Sequence, residues 1–138
     1  VSLAQRSQWV EVAAAVLLLL GLGLWLGTQL SHTAPEDIRF GPEVGTVAIA
    51  INLLFIAIRT WVRRSTSPGD DFADERDREL GRRADAITMH VFMGLAVIPL
   101  VLGLSGAAPV WFVTSLLAAY LLAGLANALI RLGLYARG

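Results

Sequence analysis

Cysteine and lysine are both absent from this chain of 138 residues. Without cysteine there is no disulfide, no thiolate nucleophile and no cysteine metal site. Without lysine, all eleven basic residues are arginines, which reads as GC-rich coding bias and not as mechanism. Only two histidines occur, and the formal net charge is zero, so a nucleic-acid partner has no net electrostatic basis. No phosphate loop, no His/Ser/Asp grouping and no metal-ligand cluster is found, and the chain reads as a non-enzyme. Polarity itself is scarce. With 56% hydrophobic residues and a mean hydropathy of +0.65, the sequence is too apolar for a soluble domain of this length.

What is present is a series of apolar runs separated by polar segments. The first, Trp9 to Leu30, is long enough to cross a bilayer and carries no polar side chain from Val12 to Leu26. It reads as a retained helix, not as a cleaved signal peptide. Gly23 and Gly27 form a GxxxG step that permits close packing, within a bundle or against another subunit. Further spans are expected at Val44 to Val62, at Ala86 to Leu104, kinked or loosened at Pro99, and at Val110 to about Ile130. The very short uncharged turn Ser105 to Pro109 makes the third and fourth spans antiparallel neighbours. The expected fold class is all-α: a single domain, a four-transmembrane-helix bundle of two antiparallel hairpins.

The one long polar segment is Asp70 to Asp85, which holds seven of the eleven acidic residues. It reads as a helical extension leading into the third span. Asp74 with Arg78, and Glu79 with Arg83, stand at i,i+4 with the acid first, the better orientation. The turn cluster Ser67-Pro68-Gly69 precedes it, and no breaker separates it from Ala86, so one continuous rod is expected. The segment is either a self-neutralised solvated helix end or a docking surface formed by Asp74, Glu75, Arg78, Glu79, Arg82 and Arg83. Arg78 and Arg82 share one face and are the candidates for an outside acid or a lipid phosphate.

Ten of the arginines fall on one side of this four-span topology and only Arg39 on the other. That bias places both termini and the charged helix in the cytoplasm. Arg59, Arg63, Arg64 and Arg131 then lie at lipid-headgroup level.

Within the spans, Asn52, Asn127 and Tyr120 are the polar side chains most enclosed by apolar sequence, and they should face the bundle interior. Tyr120, Gly124, Asn127 and Arg131 recur at helical spacing as one stripe. His90 lies one turn inside the third span near Asp85 and Thr88. A hydrogen-bonded or headgroup histidine is its ordinary role, with a single pigment ligand as the alternative. Glu11 opens the first span near the interface, and no other carboxylate lies deep in a span as a proton relay would need.

Asp74-Glu75-Arg76-Asp77-Arg78, followed by Gly81-Arg82-Arg83-Ala84-Asp85 and an apolar helix, resembles a family of small bacterial four-helix membrane proteins with an Asp-Glu-Arg-[Asp/Glu]-Arg block before the third span. The resemblance covers about residues 70 to 100. It implies a four-span protein of the bacterial inner membrane and supplies no activity. The expected role is a non-catalytic accessory subunit on a larger inner-membrane complex, respiratory or photosynthetic. Its partners would be membrane lipids and other integral membrane subunits. The alternative is a free-standing sensor, immunity or transport-type protein. No cofactor is expected; a bound lipid, or a (bacterio)chlorophyll or carotenoid at a subunit interface, is the alternative.

Overall fold

The computed structural model describes residues 3–65 and 71–137; within these, the side chains of 3, 4, 59, 62, 63, 65 and 71–74 lie outside the description. Four helices follow one another: α1 (Leu3–His32), α2 (Pro42–Ser65), α3 (Asp71–Leu104) and α4 (Pro109–Ala136), with a 3₁₀ turn at Pro35–Asp37. There is no strand among the described residues. Three stretches, Gln5–His32, Glu75–Leu104 and Pro109–Ala136, are long and apolar enough to cross a membrane, and Pro42–Ile58 is a shorter apolar helix.

Helix starts and stops follow local chemistry. Pro42 and Pro109 open α2 and α4, where a missing N–H costs nothing and the fixed φ suits the first turn. Glu43 adds a favourable charge in the first turn of α2. The α3–α4 turn closes through Gly106 at φ +74, a conformation a side chain would strain. As the sequence predicts, the charged segment and the third apolar run form one rod, α3, of 34 residues and about 51 Å. The rod runs unbroken past Pro99, whose ring is fully buried, although the Leu95 carbonyl loses its usual i+4 donor there.

Helix α4 is the centre of the bundle, with α3 and α1 both packed along it. The α3–α4 pairing has a steady antiparallel register. Gly103 faces Phe112 near the turn, Asp85 bonds Asn127 and Arg131 further along, and Asp77 lies near Tyr135 at the far end. From Gly103 to Asp77 the seam is about 39 Å long, so the charged part of α3 stays on α4 instead of projecting free. Small residues make the close approach possible. Ala84 on α3 and Ala128 on α4 are both fully buried, and the register puts them at one level. Ala15, Ala119 and Ala123 thin the rest of the core.

The loop after α1 folds back over the start of α4: the 3₁₀ turn packs on α4, Ile38 and Val110 are buried, and Trp25 stacks near Phe40 with ring centroids 5.8 Å apart. Helix α2 is the outlier. It meets α1 only sparsely, and its Val47, Ile49, Leu53, Leu54 and Ile56 are exposed. Gly21, Gly23 and Gly27 of α1 have open space where a Cβ would stand, so no close approach inside the chain uses them.

Candidate functional site

The polar stripe of α4 is completed by α3. Asp85 and Thr88 are one turn apart, and the steady seam places both opposite Asn127. The Asn127 Nδ2 donates to Asp85 Oδ1 at 2.8 Å and to Thr88 Oγ1 at 3.0 Å, which uses both of its hydrogens. Thr88 in turn donates to the Ala84 carbonyl at 2.7 Å. One turn along, Arg131 donates to the same Asp85 oxygen at 2.8 Å. Its guanidinium lies beside Gly81, where a Cβ would come within 3.7 Å. Asp85 is 62% exposed as a side chain and Arg131 only 20%, so the arginine is the desolvated partner of this pair.

Two buried polar atoms of the cluster, Asn127 Oδ1 and Arg131 Nε, have no hydrogen-bond partner among the described residues. The Asn127 side-chain assignment is fixed by its neighbours, because only the NH₂ can serve the Asp85 carboxylate.

A second polar link joins α2 to α4. The Tyr120 hydroxyl donates to Asn52 Oδ1, and Asn52 Nδ2 donates to the Ala48 carbonyl at 3.0 Å. Both links open on one cavity of about 390 Å³, lined by Glu11, Asn52, Asp85, Thr88, Tyr120 and Asn127 on its polar side. Phe55, Ile56, Met89 and Phe92 contribute to its apolar wall. Asn52, Tyr120 and Asn127, singled out separately in the sequence, therefore line one cavity, although Tyr120, expected to face the interior, is 45% exposed.

Sequence reasoning missed two members. Glu11, expected near an interface, is only 6% exposed and lines this cavity. Asp85, read as the end of the charged segment and a neighbour of His90, lines it too. The available signal was the i,i+3 spacing of Asp85 and Thr88, set against Asn127 and Arg131 across a turn too short to allow another register.

His90 stands apart from this site, exposed, with a ring nitrogen 2.7 Å from the Ala86 carbonyl. A carbonyl can only accept, so Nδ1 carries the proton and Nε2 is left as the acceptor. Among the described residues, no three His, Asp or Glu side chains are grouped to hold a metal ion.

In the charged part of α3, the expected Glu79–Arg83 pair forms, with Arg83 Nε 3.0 Å from Glu79 Oε1. Arg82 reaches the same carboxylate at 3.5 Å, so one acid serves two exposed arginines. Glu75 and Arg78 are exposed on the same helix. The expected Asp74 pair with Arg78, and the side chains of Arg59 and Arg63, lie outside the described residues. Arg64 is exposed near the end of α2.

No family model matches the chain, and neither a curated protein nor a solved structure matches it.

Proposed function

We propose that this chain is a non-catalytic integral membrane protein of the bacterial inner membrane that works as an accessory subunit of a larger membrane assembly. The observation that carries the reading is helix α2. Helices α1 and α3 pack along α4, while α2 touches α1 only sparsely and leaves its apolar side chains exposed. The open glycine positions of α1 add a second surface on which another helix can come close. The lipid-facing His90, with Nε2 outward, is where a pigment between subunits would be held.

Four spans with both termini cytoplasmic follow from the arginine bias. Cysteines introduced singly at Ser67 and Ala107 should label from opposite faces of intact cells or spheroplasts, with position 107 outside. Labelling of both from one face ends this topology.

The exposed arginines of α3 are the proposed contact with the partner. Arg82 and Arg83 share the single Glu79 carboxylate and are exposed, which favours an acidic partner surface or lipid phosphate. Arg78→Ala with Arg82→Ala should leave insertion intact and reduce co-purification of partner subunits several-fold at matched native expression. The readout is native electrophoresis with mass spectrometry after mild extraction. Migration of the wild type only as a free monomer or homodimer would sink the subunit reading. A free-standing ligand-binding or transport-type protein is the second reading, favoured by the cavity that Glu11 and Asp85 share.

A further inference from the structure

The chain has only two methionines and two histidines, and three of these four residues stand together in Met89-His90-Val91-Phe92-Met93. Helix α3 gathers them on one sector of its surface. Around the helix circumference Met93 falls between the other two, about 40° from Met89 and about 60° from His90. The spacings are i,i+4 and i,i+3, which make surface neighbours with Cβ atoms about 5–6 Å apart. Both methionines are 61% exposed, and the histidine between them in sequence is exposed as well. Methionine ordinarily fills irregular gaps in a core with its flexible, polarizable thioether. Neither methionine of this chain is in the core.

The histidine is already held as a metal ligand is held. Its Nδ1–H donates to the Ala86 carbonyl at 2.7 Å, which leaves the lone pair of Nε2 on an exposed ring. In metal-binding histidines the other ring nitrogen donates to a carbonyl or carboxylate in this way, which fixes both tautomer and direction. Thioether sulfur is a soft donor that selects Cu(I), whereas Mg(II), Ca(II) and Mn(II) take oxygen; imidazole nitrogen also suits copper. A pigment magnesium on Nε2 would make no use of the two sulfurs. Met89 also lines the cavity, so the group stands at its rim, where an ion has a path of entry.

We propose that Met89, His90 and Met93 form a binding site for a soft monovalent metal ion, Cu(I). His90 Nε2 and the Met93 sulfur are the principal ligands, and the Met89 sulfur completes the group from one turn earlier. All three ligands are neutral, so the bound ion keeps a single positive charge. His90 lies five residues, about 7.5 Å along the helix, beyond Asp85 and its ion pair with Arg131, so that charge stays near the polar end of the span. The chain has no cysteine to compete for the ion. One helix supplies the whole ligand set, and the site does not depend on the chain belonging to a larger assembly. A pigment and this ion exclude one another, because both need the same nitrogen.

The test uses the untagged full-length protein in phosphatidylcholine nanodiscs. Cu(I) binding is measured without oxygen, in ascorbate, by competition with bicinchoninate, with empty nanodiscs subtracted. The wild type should bind one Cu(I) per chain. Met93→Leu and His90→Ala should each weaken binding about tenfold or more, and Met89→Leu several-fold. Leucine keeps the volume of methionine and removes the sulfur, so helicity and melting temperature should hardly move. A second readout uses protein labelled with [methyl-¹³C]methionine and Ag(I), a redox-silent substitute for Cu(I), in nitrate buffer. Ag(I) should shift the Met93 and Met89 methyl resonances, each assigned by its leucine variant, with saturation at one equivalent. Mg(II) should leave both in place. Visible absorbance separates a pigment, which His90→Ala would lose and both leucine variants would keep. Unchanged Cu(I) affinity in both leucine variants overturns the proposal. So do methionine methyl resonances that do not respond to Ag(I), or copper uptake no greater than that of empty nanodiscs. The stoichiometry and the methyl shifts are read on the wild type, so they decide the matter if His90→Ala fails to fold.

Discussion

Replacing Ala128 with leucine is expected to destabilise the helical bundle by about 3 kcal/mol, the largest effect of any single apolar substitution considered for the seam. Ala128 and Ala84 are both without exposed surface, and the Asp85–Asn127 bond puts them at one level of the α3–α4 seam. Three added carbons have no space to enter unless α3 and α4 separate. Separation would also stretch the Asn127 bonds to Asp85 and Thr88, now 2.8 and 3.0 Å, so the packing and polar losses arrive together. Unfolding in mixed micelles, followed by circular dichroism, measures the difference. Leu129→Ala is the control, because Leu129 is exposed on the next position of α4 and should change stability by no more than about 0.5 kcal/mol. A leucine at 128 as stable as the wild type would mean that the two helices are not in close contact at this level.

Asp85→Ala is the second large effect, expected at about 2 kcal/mol. The magnitude comes from the unequal burial of the pair. Exposed ion pairs contribute up to about 1 kcal/mol, and stranding one partner of a buried pair costs about 3–5 kcal/mol. Here Arg131 is the enclosed member at 20% exposure, its Nε is already without a partner among the described residues, and Asp85 supplies the acceptor for its terminal nitrogen. Asn127 loses an acceptor in the same substitution. The reverse change, Arg131→Ala, leaves a carboxylate that water can reach and should cost about 1 kcal/mol or less. Asp85→Asn keeps an acceptor oxygen and should fall between the two. The order Asp85→Ala, Asp85→Asn, Arg131→Ala, from most to least destabilising, is the result to look for in the same unfolding assay. Equal losses for the two alanine variants would mean that burial does not set the cost.

Helix identity and extent are local properties, and the sequence by itself determined them. Long apolar runs, the short uncharged 105–109 turn, the absence of a breaker before Ala86 and i,i+4 charge pairs predict the four helices, the continuous α3 rod and the Glu79–Arg83 pair. The polar stripe Tyr120, Gly124, Asn127, Arg131 was also legible, because a single helix repeats every 3.6 residues whatever it packs against. Partner and depth are another matter. Whether Glu11 meets the interface or an interior cavity depends on how α1 is rotated and shifted along α4, and a helix apolar on every side carries no periodic signal of its rotation. In the same way, Asp85 could be assigned to the solvated helix end until the α3–α4 register set it against Asn127 and Arg131. Helix α2 has apolar residues enough to fill a core, yet they remain exposed, since local sequence sets that a helix forms and neighbouring helices decide which of its faces is covered. Only the tertiary structure decided that Glu11, Asn52, Asp85, Tyr120 and Asn127 share one space, because that requires four helices, distant in sequence, to be placed at one level.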